Sequence, residues 1–184
     1  MFHARAVLAI FACLMALPLV PVAAQDDPAA WCTSHDGTVV ERYPASMASS
    51  DKPVALGAPV QFCEFTGGEG ADPSDSHISV ALTTLTATEP SMAATAYLTK
   101  PAMPESGGSA NPASVYCADL GGTELGGQLA PDGGWVNSED KSDVAEMCVF
   151  PDLSIIDSWG LAYHSMGTIR GANLESVFRW QPAE

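Results

Sequence analysis

Four cysteines in two pairs of identical spacing constrain what this chain can fold into more than any other feature. Cys32 and Cys63 are 31 residues apart, as are Cys117 and Cys148. The first cysteine of each pair moves from 32 to 117, an offset of 85. The neighbours repeat as well. Trp31-Cys32 followed by Gly37-Thr38 returns as Tyr116-Cys117 followed by Gly122-Thr123, and Cys63-Glu64-Phe65 returns as Cys148-Val149-Phe150. The chain therefore reads as an internal duplication of one cysteine-bearing unit.

At the N-terminus, Arg5 precedes an apolar run from Ala6 to Val20, and Val22-Ala23-Ala24 is a small-residue cleavage pattern ahead of Gln25. Residues 1–24 are thus expected to be a secretory signal peptide. The run is short and broken by Pro18 and Pro21, so it does not read as a membrane-spanning helix, and no later segment does either. Cys13 is expected to leave with the signal peptide rather than carry lipid, because Phe11 is bulky and the apolar run continues past it.

Export to the periplasm of a double-membrane bacterium, or beyond the cell, makes the remaining cysteines disulfide partners rather than nucleophiles or metal ligands. Four cysteines permit three connectivities. The repeat favours pairing within each half, Cys32 with Cys63 and Cys117 with Cys148, each closure contributing about 3.5 kcal/mol on the chain-entropy model. Each half has fewer than about 80 residues, a size at which one apolar core leaves little net stability. No cysteine pair has the close spacing of a structural zinc site.

Removing residues 1–24 takes away Arg5 and no acid, so the formal charge moves from −15 to −16. Nucleic acid and anionic lipid would be repelled over most of such a surface, whereas solubility, a cation or a basic protein fits it.

Along the expected mature chain, Asp27-Pro28 and Asn111-Pro112 both read as an N-cap followed by a first-turn proline, opening short helices that carry Cys32 and Cys117. Gly121-Gly122 should end the second helix. Val60 to Phe65 and Met147 to Phe150 read as the strands that hold Cys63 and Cys148. Between Ser76 and Thr84, alternation of Ile78, Val80 and Leu82 with smaller residues predicts a strand buried on one face. A helix is expected from Glu89 to Lys100, capped near Thr88 and stopped by Pro101. Ser154 and Asp157 resemble a capping box for a helix placing Ile156, Trp159 and Tyr163 on one face, a reading that Gly160 weakens.

The run from Asn111 to Gly122, NPASVYCADLGG, followed by Cys148-Val149-Phe150-Pro151-Asp152, Ser154 and Trp159, resembles a small exported bacterial domain of unknown function, numbered 333 and often labelled a hemolysin. The resemblance covers about residues 110–165. Members typically carry a further cysteine shortly before the tryptophan and another near the domain end. Ile156 stands near the first place here, and no cysteine follows Cys148. Their joint absence makes sense if those two pair with each other, which favours Cys117 with Cys148. The resemblance implies no catalytic residue, and the mature chain has no amphipathic or long apolar segment suited to insertion in a membrane.

Hydrolytic and phosphate-binding motifs are absent from the sequence: no Gly-x-Ser-x-Gly, no His-Glu-x-x-His and no lysine-bearing phosphate loop. His35, His77 and His164 stand in different elements, so a metal site is not expected of them. The acidic stretches Asp72 to Asp75 and Asn137 to Asp143 do not follow an EF-hand pattern and read as solvated loops. Gly121-Gly122 and Gly126-Gly127 read as turns. Trp31, Tyr116 and Trp159 read as core residues. Trp135 lies in a Pro- and Gly-rich loop spanned by the second cysteine pair, and is the candidate partner-binding residue if exposed. The alternative is that it folds back over the small core.

The expected architecture is α+β: two related units, each a short helix stapled by a disulfide to a small antiparallel sheet. Residues 25–100 form the first unit, 101–110 a linker, 111–165 the second and 166–184 a tail. The expected function is that of an exported, non-enzymatic binding or envelope-associated module, inhibitor-like in format, with a periplasmic or extracellular protein as partner. No cofactor, metal or catalytic residue is assigned. The alternatives are a structural or stress-protection protein, then a hemolysin-like protein or an unrecognised hydrolase.

Overall fold

The computed structural model describes residues 27–67, 77–104, 111–125 and 132–183. Residues 1–26, the acidic stretch Asp72 to Asp75 and the pair Gly126-Gly127 lie outside them. The first segment runs α1 (Pro28–Ser34), β1 (Thr38–Ser46), β2 (Val54–Ala55), β3 (Val60–Thr66), β4 (His77–Ala81), α2 (Leu82–Leu85) and α3 (Met92–Thr99). The second runs α4 (Pro112–Asp119), β5 (Thr123–Glu124), β6 (Gly134–Asn137), β7 (Val144–Ala145), β8 (Met147–Val149), β9 (Ile155–Asp157) and α5 (Ser158–Ser165). The architecture is α+β, with all described strands in one antiparallel sheet.

The sheet order is β5-β8-β9-β4-β3-β1-β6-β7, with β2 beside β1. The two segments thus meet through β4 and β9, where Val80 lies opposite Ile156. On either side of that seam the order is the same: β4-β3-β1 outward in one direction, β9-β8-β5 in the other. A helix precedes each set of strands and another follows it. The hairpin β6-β7 then crosses to pair with β1, setting Pro44 opposite Trp135 and Ala45 opposite Gly134.

Both disulfides form within their own segment, Cys32 of α1 to Cys63 of β3 and Cys117 of α4 to Cys148 of β8, each with Cα atoms 5.6 Å apart. The repeated glycines sit against the sulfurs. A Cβ on Gly37 would overlap Cys63 Sγ and lie 2.8 Å from Cys32 Sγ, and one on Gly122 would overlap Cys148 Sγ and lie 2.8 Å from Cys117 Sγ. Both helix starts follow the sequence reading: Asp27 accepts the Ala29 amide at 3.1 Å and Asn111 accepts that of Ala113 at 2.9 Å.

Three element boundaries differ from expectation. The strand begun at His77 ends at Ala81, and Leu82–Leu85 turns helical. Continued as a strand, it would send Leu82 and Leu85 to opposite faces, whereas one helical turn places both in the same core. The next helix begins at Met92, not Glu89, because Pro90 disfavours helical geometry at Glu89 and Ser91 supplies the cap, its hydroxyl accepting the Ala94 amide. The residues read as a capping box do not start a helix at Ser154. Ile155–Asp157 is a strand, held between β8 and β4, and α5 starts after Asp157, whose carboxylate accepts the Gly160 amide. Ile156 is therefore on the sheet, while Trp159 and Tyr163 do share a helix face, with ring centroids 5.8 Å apart. Gly160 is where α5 presses on β4: a Cβ there would lie 2.5 Å from Ile78 Cγ1.

Alternate residues of the sheet feed two large cores, and a third, smaller cluster of Ala45, Ala48 and Val136 lies where β1 meets the β6–β7 hairpin. Val39, Cys63, Phe65, Ile78, Val80, Cys148 and Ile156 face the helices, in a cluster that draws on both segments. Phe62, Ala81, Trp135, Met147 and Ile155 pack on the opposite face. The C-terminal segment belongs to the first core, since Leu174 and Phe178 are buried, the Trp31 indole donates to Val177 O at 3.0 Å, and the Tyr97 hydroxyl accepts the Leu174 amide at 3.1 Å. Among the described residues no helix is long and apolar enough to cross a membrane.

Candidate functional site

The β8–β9 connection is a three-residue loop, Pro151-Asp152-Leu153, because Val149 pairs with Ile155 and Phe150 exchanges backbone hydrogen bonds with the far side: its amide donates to Ser154 O and its carbonyl accepts from Leu153. In such loops the last residue takes the left-handed conformation and glycine is usual there. Here that residue is Leu153, at φ +65° and 78% exposed. A leucine in this region costs about 1–2 kcal/mol, and its exposed side chain recovers none of that by burial.

The loop is fixed to α3. Asp152 accepts the Met92 amide at 2.7 Å through one carboxylate oxygen, and the Ser154 amide and hydroxyl through the other. The Ser154 hydroxyl accepts the Ala93 amide at 3.0 Å. With Ser91 on Ala94, three open amides of the α3 N-terminus are satisfied. Burial pushes the Asp152 carboxyl up, but the Ser154 and Met92 hydrogen bonds outweigh it and hold the group below the usual carboxylate range. Leu153 is thus presented on a rigid support.

A groove lined by Pro90, Met92, Ala96, Pro101, Leu120 and Asp152, among others, reaches this loop through Asp152, the chain neighbour of Leu153. Met92 is 37% exposed, and its Cε lies 3.6 Å from where a Cβ would stand on Gly121. The groove therefore lies between α3 of the first segment and the α4 terminus and β8–β9 loop of the second. A further exposed apolar group, Met47, Val54 and Leu56, lies around the β1–β2 turn.

The sequence-derived candidates fall elsewhere. Trp135 is 5% exposed and meets Phe62 edge-on, with centroids 5.5 Å apart, so its ring covers the second core, the alternative weighed in the sequence. Trp31, Tyr116 and Trp159 all pack in or against the helix-facing core. The acidic loop from Asn137 is tied internally, Asn137 accepting the Glu139 amide and Asp140 the Ser142 amide and hydroxyl, while Asp143 binds Arg42. His35 lies against Trp31 with the rings tilted by 38°, His77 opens β4, and His164 stacks flat on Tyr97 with centroids 3.7 Å apart. Among the described residues no group of three or more His, Cys, Asp or Glu side chains could hold a metal ion.

Asp157 and His164 are among the buried groups with displaced proton affinities. Burial raises Asp157 to about 6. His164 is 2% exposed, and among the described residues neither ring nitrogen is hydrogen-bonded, Nε2 lying 3.6 Å from the Glu175 carboxylate. Burial, and then Lys100, lower its pKa to about 4. The folded state thus favours neutral His164, and this contribution is lost as pH falls from the ordinary 6.5 through 4. Asp157 works in the opposite sense, its contribution being complete below the ordinary 3.8 and lost as pH rises through about 6. His164→Phe keeps a ring on Tyr97 and removes one of the two. The expected result is a variant whose stability, followed by urea unfolding, falls by about 3 kcal/mol less than the wild type's between neutral pH and pH about 4.

Residues 108–165 match the model of a family described as a domain of unknown function (DUF333). That segment holds α4, β5 to β9 and α5, so it supplies Leu120, Asp152 and Leu153 of the groove region but not Met92 or Pro101. No curated protein and no solved structure matches the chain.

Proposed function

We propose that the chain is an exported, non-enzymatic binding module, inhibitor-like in format, that engages a protein partner in the cell envelope or outside the cell through Leu153, Met92 and the groove beside α3. The observation that carries this reading is Leu153 itself. A leucine placed where glycine is favoured, and left exposed, lowers the stability of the free protein. Such outliers concentrate where a surface has another task. Small disulfide-framed units that hold a short loop rigid bind with little ordering cost, and an aliphatic side chain is one form of anchor around which such an interface is built. Export is supported by the N-terminal run and by two disulfides, which persist in oxidising compartments. Internal duplication is supported by the shared spacing, the matched glycines and the sheet order that reads alike from the β4–β9 seam.

Leu153→Gly separates binding from folding, because it relieves the backbone while deleting the side chain. The expected outcome is a variant about 1 kcal/mol more stable than wild type in urea that no longer retains a stoichiometric partner captured by the wild type from envelope extract of the native host. Equal retention by both would remove Leu153 from the function. Empty captures with both would turn the reading toward a structural envelope protein, which the core shared by the two segments would suit.

A further inference from the structure

We infer that the occupant of this groove is a cationic amphipathic segment, an apolar side chain flanked by Lys or Arg on a stretch of about two helical turns; this rests on the binding reading above. The length follows from α3, whose Met92–Thr99 face spans about 12 Å at 1.5 Å per residue. The apolar part of the occupant answers to Pro90, Met92, Ala96, Pro101 and Leu120 along the groove and to the exposed Leu153, which follows the lining residue Asp152 in the chain. Methionine adapts to varied apolar shapes, and Met92 lies in the open part of this surface.

The charge of the occupant follows from the rim. Asp152 lines the groove and stays ionised, its hydrogen bonds holding the carboxyl below its ordinary range against the upward push of burial. Glu89 and Asp119, the chain neighbours of Pro90 and Leu120, are exposed. None of the described residues lining the groove is basic. Lys100, next to Pro101, is paired with Glu175. The whole chain carries a formal charge of −15, which favours a basic partner over a second copy of the chain or an anionic membrane. An apolar groove in an acidic surround selects for apolar contact and positive charge together, which plain acidity does not.

The test uses the oxidised chain from Gln25 to Glu184, isotope-labelled and titrated with a synthetic helical peptide of Leu and Lys, about two to three turns long, and with its Leu and Glu counterpart. The expected result is saturable shifts at the amides of Met92, Ala96, Leu120 and Leu153 with the Lys peptide and none with the Glu peptide. Affinity should fall at least about tenfold in Leu153→Gly, and should also weaken between about 50 and 300 mM salt. Shifts scattered over the acidic surface and unchanged in Leu153→Gly would overturn the inference, since they would mark charge attraction alone. Saturation by the Glu peptide, or by a second copy of the chain, would overturn the cationic partner yet leave the binding reading standing. Silence at these amides with both peptides would also overturn it. In that case a partner lost from the Leu153→Gly capture would still uphold the binding reading, and only failure of both experiments would remove the two together.

Discussion

Serine at Cys117 and Cys148 lowers the unfolding free energy by about 3.5 kcal/mol, and serine at Cys32 and Cys63 does the same, as measured by urea unfolding with reduced wild type as the common endpoint. The equality is expected because each bond spans 31 residues. All four cysteines are buried in the helix-facing core, so the bonds also carry packing. That packing makes a second measurement informative. In the oxidised chain Gly122→Ala forces its new methyl onto the Cys148 sulfur, and Gly37→Ala does so at Cys63. Each should be strongly destabilising, and each should cost at least about 1 kcal/mol less once the nearby cysteine pair is serine, a coupling that a double-mutant cycle reads directly. Equal penalties in both backgrounds would separate the glycines from the bonds.

Arg42→Ala is the other large expected loss, about 3 kcal/mol or more. The Arg42 side chain is 0% exposed, with one guanidinium nitrogen 2.8 Å from Glu64 Oε2 and 2.7 Å from Asp143 Oδ2. Ser79 donates to the same Glu64 oxygen and Asn137 to Asp143. The group thus joins β1, β3 and β4 to the β6–β7 hairpin on the sheet face opposite the helices. Burial works against the charge, and the hydrogen bonds of Asp143 and Glu64 more than offset it, raising the Arg42 pKa. Burial likewise raises Asp143, but the Arg42 hydrogen bond prevails and holds its carboxyl below the ordinary 3.8, so the pair's stabilisation is present above that pH and lost on acidification below it. Removing Arg42 alone strands two carboxylates. Arg42→Met combined with Glu64→Gln and Asp143→Asn should recover most of the loss, because no charge is then left without its partner.

The parts of this fold that were legible in the sequence are those set by near neighbours or by the repeat. Asp27-Pro28 and Asn111-Pro112 cap helices by contacts two or three residues away, and the cysteine pairing follows from two equal spacings. Where a distant partner decides, the local pattern misleads. Ser154 and Asp157 have the spacing of a capping box, yet Ser154 caps α3 and pairing of Ile156 with Val80 and Cys148 makes the segment a strand. Trp135 stands in a Gly-rich loop by sequence, but β6 pairs with β1 and brings it against Phe62. Arg42 gave no signal, since its acids lie far along the chain. Leu153 gave none either: Phe150-Pro151-Asp152 announces a turn, but only the register of β8 against β9 shows that the residue after it must be left-handed.

A photoreactive residue placed at position 153 in the native host tests most directly whether Leu153 faces a partner, with one at Met47, 52% exposed against 78% for Leu153, as control. One discrete adduct is expected from position 153 and none of that mass from position 47. No adduct at 153, or the same adducts from both positions, would contradict a partner-facing Leu153.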